Sequence, residues 1–433
     1  MTNTESNVVT RTKQPTLSAA SAVLAGLGIP LLSSSPSASG VVLALAVVLI
    51  LAAPDRWALL TDIWQGLRQP LGLGFVVLLL LWLPAVIDSL EPTRSLGKWG
   101  RMMGFVMAAA LVYQFLRRSP EALSSALRAL IAGALACTAI SLIGIYWSSW
   151  LYNLFRGDLS GAVDPAAALK SYGSAVSCLI PVVLWAGFRL GRGWRIAGLV
   201  FVPVGIALML ATGSMAGLFG SFVAVALGAP LLLLWHFRRG RTVAPLIIAV
   251  VALFGIALGF VMSGLPAPPE AALLVSGVYD GPLETPLPVW LLDAHRQQIW
   301  GFTLYAALES PWIGHGIDVS SILPGAHTRI VQFNQEFIPS HPHNWILEVF
   351  AETGAIGLAA LVALLTFMIR CWLMTSAAAG MAGVCGMALF GAYWSSSLLN
   401  FSLWAAWWQL TYLVLSAIVL AAARSREGRA PLI

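Results

Sequence analysis

The stretch HPHNWILEVFAETG, residues 341–354, sets two histidines and an asparagine at the mouth of a long apolar run and places Glu348 and Glu352 inside it. Such groups are costly to take out of water unless they are hydrogen-bonded, so the run has to serve more than packing. Imidazole has a pKa near ambient pH, which suits His341 and His343 to proton transfer. Five of the six histidines (His295, His315, His327, His341, His343) fall within one segment of the chain, together with Arg296 and Arg329. An extended His-x-His puts both rings on one side, so His341, His343, His327 and a carboxylate are a zinc alternative, although the spacing is not the HExxH of a zinc helix. Ser214, in GSMAG, lacks the following glycine that an intramembrane serine nucleophile favours.

The elements that must position these groups are hydrophobic. The 433 residues are 59% hydrophobic and only 10% charged, against about a quarter charged in a soluble protein. The fold class expected is an all-α polytopic membrane protein. Apolar runs long enough, or nearly so, to cross ~30 Å of hydrocarbon lie near 16–32, 39–53, 71–87, 99–116, 123–147, 172–189, 194–212, 215–235, 243–263, 344–369, 376–397 and 402–423, about twelve helices. The first run, preceded by Arg11 and Lys13 and followed by SSSPSASG, resembles a signal peptide. It is expected to stay as a first span, because its removal would upset the charge topology.

Assigning the N-terminus and every second connection to the cytoplasm puts 17 of the 24 Lys and Arg there and leaves Arg94, Lys98, Arg101, Arg156, Lys170, Arg296 and Arg329 on the other face. By the positive-inside rule both termini, residues 1–15 and 424–433, are cytoplasmic. The net charge of +6 is then a topology signal and gives no support for nucleic-acid binding; clusters such as FRRGR, residues 237–241, fit anionic headgroups of membrane lipid. The four cysteines sit in apolar runs with no CxxC or Cys/His ligand spacing, so no disulfide framework or metal knuckle is indicated.

Residues 264–343 form one large loop between spans 1–9 (16–263) and spans 10–12 (344–423). Its first part is Pro- and Gly-rich and should be irregular. LDAHRQQIWGFTLYAALES then has apolar residues at the helical spacing of Ile299, Phe302, Thr303, Ala306 and Ala307. That predicts an amphipathic helix lying on the membrane or capping the bundle.

Three segments, HRQQIW (295–300), ESPWIGHGIDVSS (309–321) and HPHNWILEVFAETGAIGL (341–358), together resemble the O-antigen ligase and polymerase family of bacterial envelope glycan assembly. The resemblance covers about 160–400, with strong motifs only in 293–358. It implies a GT-C-like helical bundle in the inner membrane with a periplasmic site. It also implies metal-independent, inverting transfer, without a cofactor, of a glycan from undecaprenyl pyrophosphate to a hydroxyl. The acceptor would be lipid A–core oligosaccharide for a ligase, or another repeat unit for a polymerase. His343, directly before Asn344, matches the family histidine and is the candidate base. Arg296 matches the loop arginine and is the candidate diphosphate clamp. Many ligases carry Ser-Arg where this chain has Ser214-Met215. Lys170 is the best-placed substitute cation, with Arg156 and Arg329 in reserve. His341 is expected to cap or orient the start of the tenth span, and Glu352 to be a packing or proton-network residue. The aromatic run WSSSLLNFSLWAAWW, residues 394–408, is expected to be an interfacial belt.

A transporter is the rival of another class, since twelve spans with intramembrane Glu348 and Glu352 would suit a carrier. The single large outer loop, with its histidines crowded on one face, argues against it.

Overall fold

A computed structural model describes residues 15–158, 163–236, 243–270 and 277–424. The chain is an all-α polytopic membrane protein. Its helices are α1 (Pro15–Leu27), α2 (Pro36–Ala52), α3 (Arg56–Leu67), α4 (Pro70–Ile87), α5 (Pro92–Arg118), α6 (Pro120–Tyr146), α7 (Ser149–Arg156), α8 (Pro165–Ala168), α9 (Lys170–Leu190), α10 (Arg192–Ala211), α11 (Met215–His236), α12 (Val243–Ser263), α13 (Ala294–Glu309), α14 (Trp345–Ala379), α15 (Met381–Ser396) and α16 (Ala406–Arg424). Many of them open on proline, which loses no helical hydrogen bond at the first position and arrives with its φ already set.

Each of the twelve apolar runs contains a helix, but the number of full spans differs. Among the described residues eight helices are long and apolar enough to cross a membrane, or nine if α2 and α3 count as one bent span. Helix α12, 21 residues of apolar sequence, stands outside that count, and three other runs fall short for local reasons. α1 ends at Leu27, before Gly28 and Pro30, Pro54 ends α2, and the chain turns by 109° into α3. Gly380, at φ +57°, separates α14 from an α15 of 16 residues, a rise of only ~24 Å. After the turn between α2 and α3, Asp62 of α3 is held by Arg118 of α5 at 2.8 Å.

α9 lies at the centre, packed by α6, α10, α11 and α15, while α16 packs on α5 and α14 on α4 and α15. The described residues of 264–343 sit at one end of the bundle, the loop end. One small apolar cluster packs them together, and a second ties them to the bundle. One joins Tyr279, Phe302, Ala306, Ile330 and Phe337; the other joins Leu287, Leu292, Ile299, Trp300 and Leu347. Strands β1 (Val278–Tyr279), β2 (Arg329–Ile330) and β3 (Gln335–Glu336) make a small ribbon, β1 parallel and β3 antiparallel to β2.

Helix α13 caps the bundle, and it is not an open surface helix. Its apolar face is buried as the spacing implied, but Gln297 and Gln298 are buried too. Gln297 Nε2 donates to the carbonyls of Leu287 (2.7 Å) and Leu292 (2.8 Å), and Gln298 Nε2 to that of Glu284 (2.6 Å). These bonds let the irregular stretch 284–292 cover what a helical wheel marks as the wet side.

Candidate functional site

Asn344 starts α14. Its side-chain oxygen accepts from the N–H groups of Ile346 (3.0 Å) and Leu347 (3.3 Å), an N-cap. The capping role expected of His341 therefore belongs to Asn344. Just before the cap, His343 adopts φ +56°, a left-handed backbone that is uncommon for a residue with a Cβ. Observed strain of this kind clusters where a side chain must be aimed. His343 Nδ1 lies 3.2 Å from the Asn400 carbonyl. A carbonyl only accepts, so Nδ1 carries the proton and Nε2 is left as the basic nitrogen. The rings of His341 and His343 are 4.0 Å apart, and His341 Nδ1 is 2.6 Å from Ser340 Oγ.

Both imidazoles are held neutral. Burial, reinforced by repulsion from His343, pushes His341 down to about 3. Burial, then the charge of Arg296, pushes His343 down to about 4, with His295 adding to the repulsion. Arg296 is thus close enough to act electrostatically on His343. It sits in the first turn of α13, where Asp293 caps its backbone N–H at 2.9 Å and lies 3.4 Å from its Nε.

The glutamates anchor loops. Glu352 accepts from the N–H of Asp318 (2.7 Å), the N–H and Oγ of Ser320 (3.0 and 2.5 Å) and Nε1 of Trp404. Glu348 accepts from the N–H of Leu403 at 2.7 Å. Two stretches are held this way: the turn 311–321, and the connector between α15 and α16 that carries Asn400. Gly354 makes the arrangement feasible. At φ +64° and ψ −173° it interrupts α14, and the turn docks into the gap. There His315 and Gly316 donate to the carbonyls of Ala351 (3.0 Å) and Glu352 (2.9 Å), and Ala355 donates to that of Pro311 (2.8 Å). The Gly-x-Gly and Glu-x-Gly motifs are thus two halves of one joint.

The cations fall in different places. Lys170 opens α9, is exposed, and no ion pair engages it among the described residues. One turn on, Ser174 Oγ is 3.0 Å from Ser214 Oγ, so Lys170 and Met215 stand at neighbouring helix starts. Arg156 is engaged, its Nη1 donating to Tyr152 Oη at 3.2 Å. Arg329 is exposed on the ribbon and donates to Asn334 Oδ1; the ribbon meets the start of α13 through His295 Nε2, 3.3 Å from the Glu336 carbonyl. His327 pairs with Glu336 at 2.8 Å, and among the described residues no three His, Cys, Asp or Glu side chains converge as a metal site.

Two features were not anticipated. Arg94, Lys98 and Arg101 line one face of α5 at the loop end. Arg94 Nε and Lys98 Nζ reach Asp318 at 3.0 and 2.5 Å, and Arg101 donates to the Trp404 carbonyl. Their spacing of four and three residues was the available signal. The aromatic run 394–408, moreover, is no interfacial belt. Trp404 and Trp408 are fully buried, Trp408 stacked on Tyr393 at 4.6 Å and Trp404 held by Glu352. The connector folds inward because Glu348 and Glu352 bind it.

The sequence profile of the O-antigen ligase family matches residues 205–362, from the end of α10 into α14. The chain is 26% identical over 263 residues to the O-antigen ligase of Pseudomonas aeruginosa, covering 60% of this chain and 53% of that protein. Two proteins each named "Putative polysaccharide ligase" also match. That of Rickettsia conorii is 27% identical over 118 residues (27% of this chain, 28% of that protein). That of Rickettsia bellii is 25% identical over 186 residues (37% and 44%). The chain thus spans about half or less of the length of these relatives. The resemblance drawn from the three motifs holds: this chain is similar to O-antigen ligases through the loop and the start of α14.

Proposed function

We propose that the protein transfers a glycan from a polyprenyl diphosphate, undecaprenyl pyrophosphate in the family it resembles, to a hydroxyl of an acceptor at the loop end of the bundle. The observation that carries this reading is His343. Its strained backbone and the Asn400 carbonyl aim a neutral imidazole, with Nε2 basic, within electrostatic reach of the cation Arg296. Such a nitrogen accepts the proton of the attacking hydroxyl as the oxygen bonds to the anomeric carbon. The bond from that carbon to the diphosphate oxygen breaks, and the configuration inverts. Arg296 neutralises the charge that develops on the leaving diphosphate. Lys170 supplies a second positive charge where Met215 replaces the family arginine, Arg329 and Arg156 being held by Asn334 and Tyr152. No step needs a metal ion.

In this reading the membrane is the bacterial inner membrane, the termini are cytoplasmic, the loop is periplasmic, and the acceptor is lipid A–core oligosaccharide. Envelope glycans of a deletion strain test the acceptor. Uncapped lipid A–core with accumulated long lipid-linked chains is the expected result. Acceptor bearing single repeat units would instead mark a repeat-unit polymerase. A carrier would show no transfer by purified protein while lipid translocation persists.

A further inference from the structure

Between α12 and α13 the chain makes a tight turn, Pro288–Leu292, closed by the N–H groups of Leu291 and Leu292 donating to the Pro288 carbonyl at 2.9 and 3.1 Å. Its side chains divide sharply. Leu287 and Leu292 are buried against Val261, Met262 and Leu265 at the end of α12. The three residues at the tip face outward: Val289 is 61%, Trp290 85% and Leu291 46% exposed. An aqueous loop of this size has little reason to show a contiguous Val-Trp-Leu face. The tip continues the surface of α12, where Leu253, Ile256 and Phe260 are also exposed on a helix of uniformly apolar sequence. Exposed polar residues, Glu284 and Asp293, flank it.

We infer that residues 289–291 dip into the leaflet at the loop end and contact its hydrocarbon, with Trp290 at the headgroup boundary where tryptophan is favoured. The occupant is lipid, because the tip is continuous with a lipid-facing helix. The consequence concerns the site. Asp293 caps α13 and Arg296 is in its first turn, so a tip anchored in the leaflet holds Arg296 at headgroup depth, where the diphosphate of a membrane-borne donor sits. This consequence rests on the function proposed above; the lipid contact does not.

The test uses the full chain in phosphatidylethanolamine/phosphatidylglycerol nanodiscs, with spin labels placed singly at Trp290→Cys, Leu291→Cys, Phe260→Cys and Val278→Cys. Labels at 290 and 291 should be relaxed more by oxygen than by a water-soluble nickel chelate, as at 260, whereas 278 on the ribbon should show the reverse. Labels at 290 and 291 that behave like 278 would overturn the inference. Labels immobilised and shielded from both reagents would also overturn it, in favour of a protein occupant. In transfer assays Trp290→Ser should raise KM for a long-chain lipid-linked donor severalfold and leave KM for a short, water-soluble donor unchanged. Oxygen-accessible labels in a protein that transfers no glycan would retain the lipid contact and reject the proposed function.

Discussion

Replacing Gly354 by alanine should undock the turn 311–318 from α14. The backbone there, φ +64° and ψ −173°, is open to glycine and to almost nothing else, a strain of about 1–3 kcal/mol for alanine. The new Cβ would lie 2.2 Å from the carbonyl atoms of Trp312 and 2.4 Å from the nitrogen of Ile313. These are backbone atoms, so the turn itself has to move. Its movement endangers the bonds from His315, Gly316, Ala355 and Ile356, each contributing roughly 0.5–1.5 kcal/mol. The sum is on the order of 3–9 kcal/mol, comparable with the whole stability of many domains. Gly97→Ala is the control, because a Cβ at that helical position meets nothing within 4 Å, and it should be neutral or stabilising by up to about 1 kcal/mol. Thermal unfolding in nanodiscs and amide exchange across 312–318 measure both variants. A Gly354→Ala protein with wild-type melting and protected amides would refute the docked-joint reasoning.

Other outcomes follow from the site. Because His343 is held at about 4 against an ordinary 6.5, the acid limb of kcat/KM should lie well below pH 6.5; a limb at 6.5 or above would show that His343 is not the base or is not buried. The same depression in His341 and His343 lets the unfolded chain bind protons first, so stability should fall as pH drops from 6.5 towards 4, and a flat melting temperature across that window would contradict the burial of the pair. Lys170→Ala should slow transfer by ~10²-fold or more, Lys170→Arg should keep much of the activity, and Met215→Arg should partly rescue Lys170→Ala because Ser174 and Ser214 hold the two helix starts together; wild-type transfer by Lys170→Ala would reduce the lysine to an interfacial anchor. Transfer should persist in EDTA, and a loss restored by zinc or magnesium would recast His341 and His343 as ligands.

The hydrophobic runs and basic asymmetry of the sequence were enough for an all-α membrane bundle, because crossing a bilayer leaves its mark on every residue of a span. Span number was harder to read. Where a run breaks is decided by single residues such as Pro54 and Gly380, which look like ordinary interruptions in a hydropathy count. His343 and Arg296, the candidates that the motifs single out, lie within electrostatic reach of each other in the structure. The partners of Glu352 were not legible in the sequence, because Asp318, Ser320 and Trp404 are distant from it along the chain and two of the contacts are backbone groups that carry no residue signature. The connector 397–405 was misread for a related reason. An aromatic-rich segment near a membrane surface looks the same whether its rings face headgroups or fold over buried carboxylates. Arg94, Lys98 and Arg101 registered only as topology charges until Asp318 was placed opposite them.

The most direct test of the central claim is glycan transfer by the purified protein, reconstituted with a polyprenyl-diphosphate-linked glycan and lipid A–core acceptor, comparing wild type with His343→Ala and His341→Ala. General-base assistance accounts for ~10²–10⁴-fold. Loss of that order in folded, membrane-inserted His343→Ala, with a smaller loss in His341→Ala, is the predicted result. Retained transfer in His343→Ala beside an inactive His341→Ala would contradict the account and move the base to the neighbouring ring.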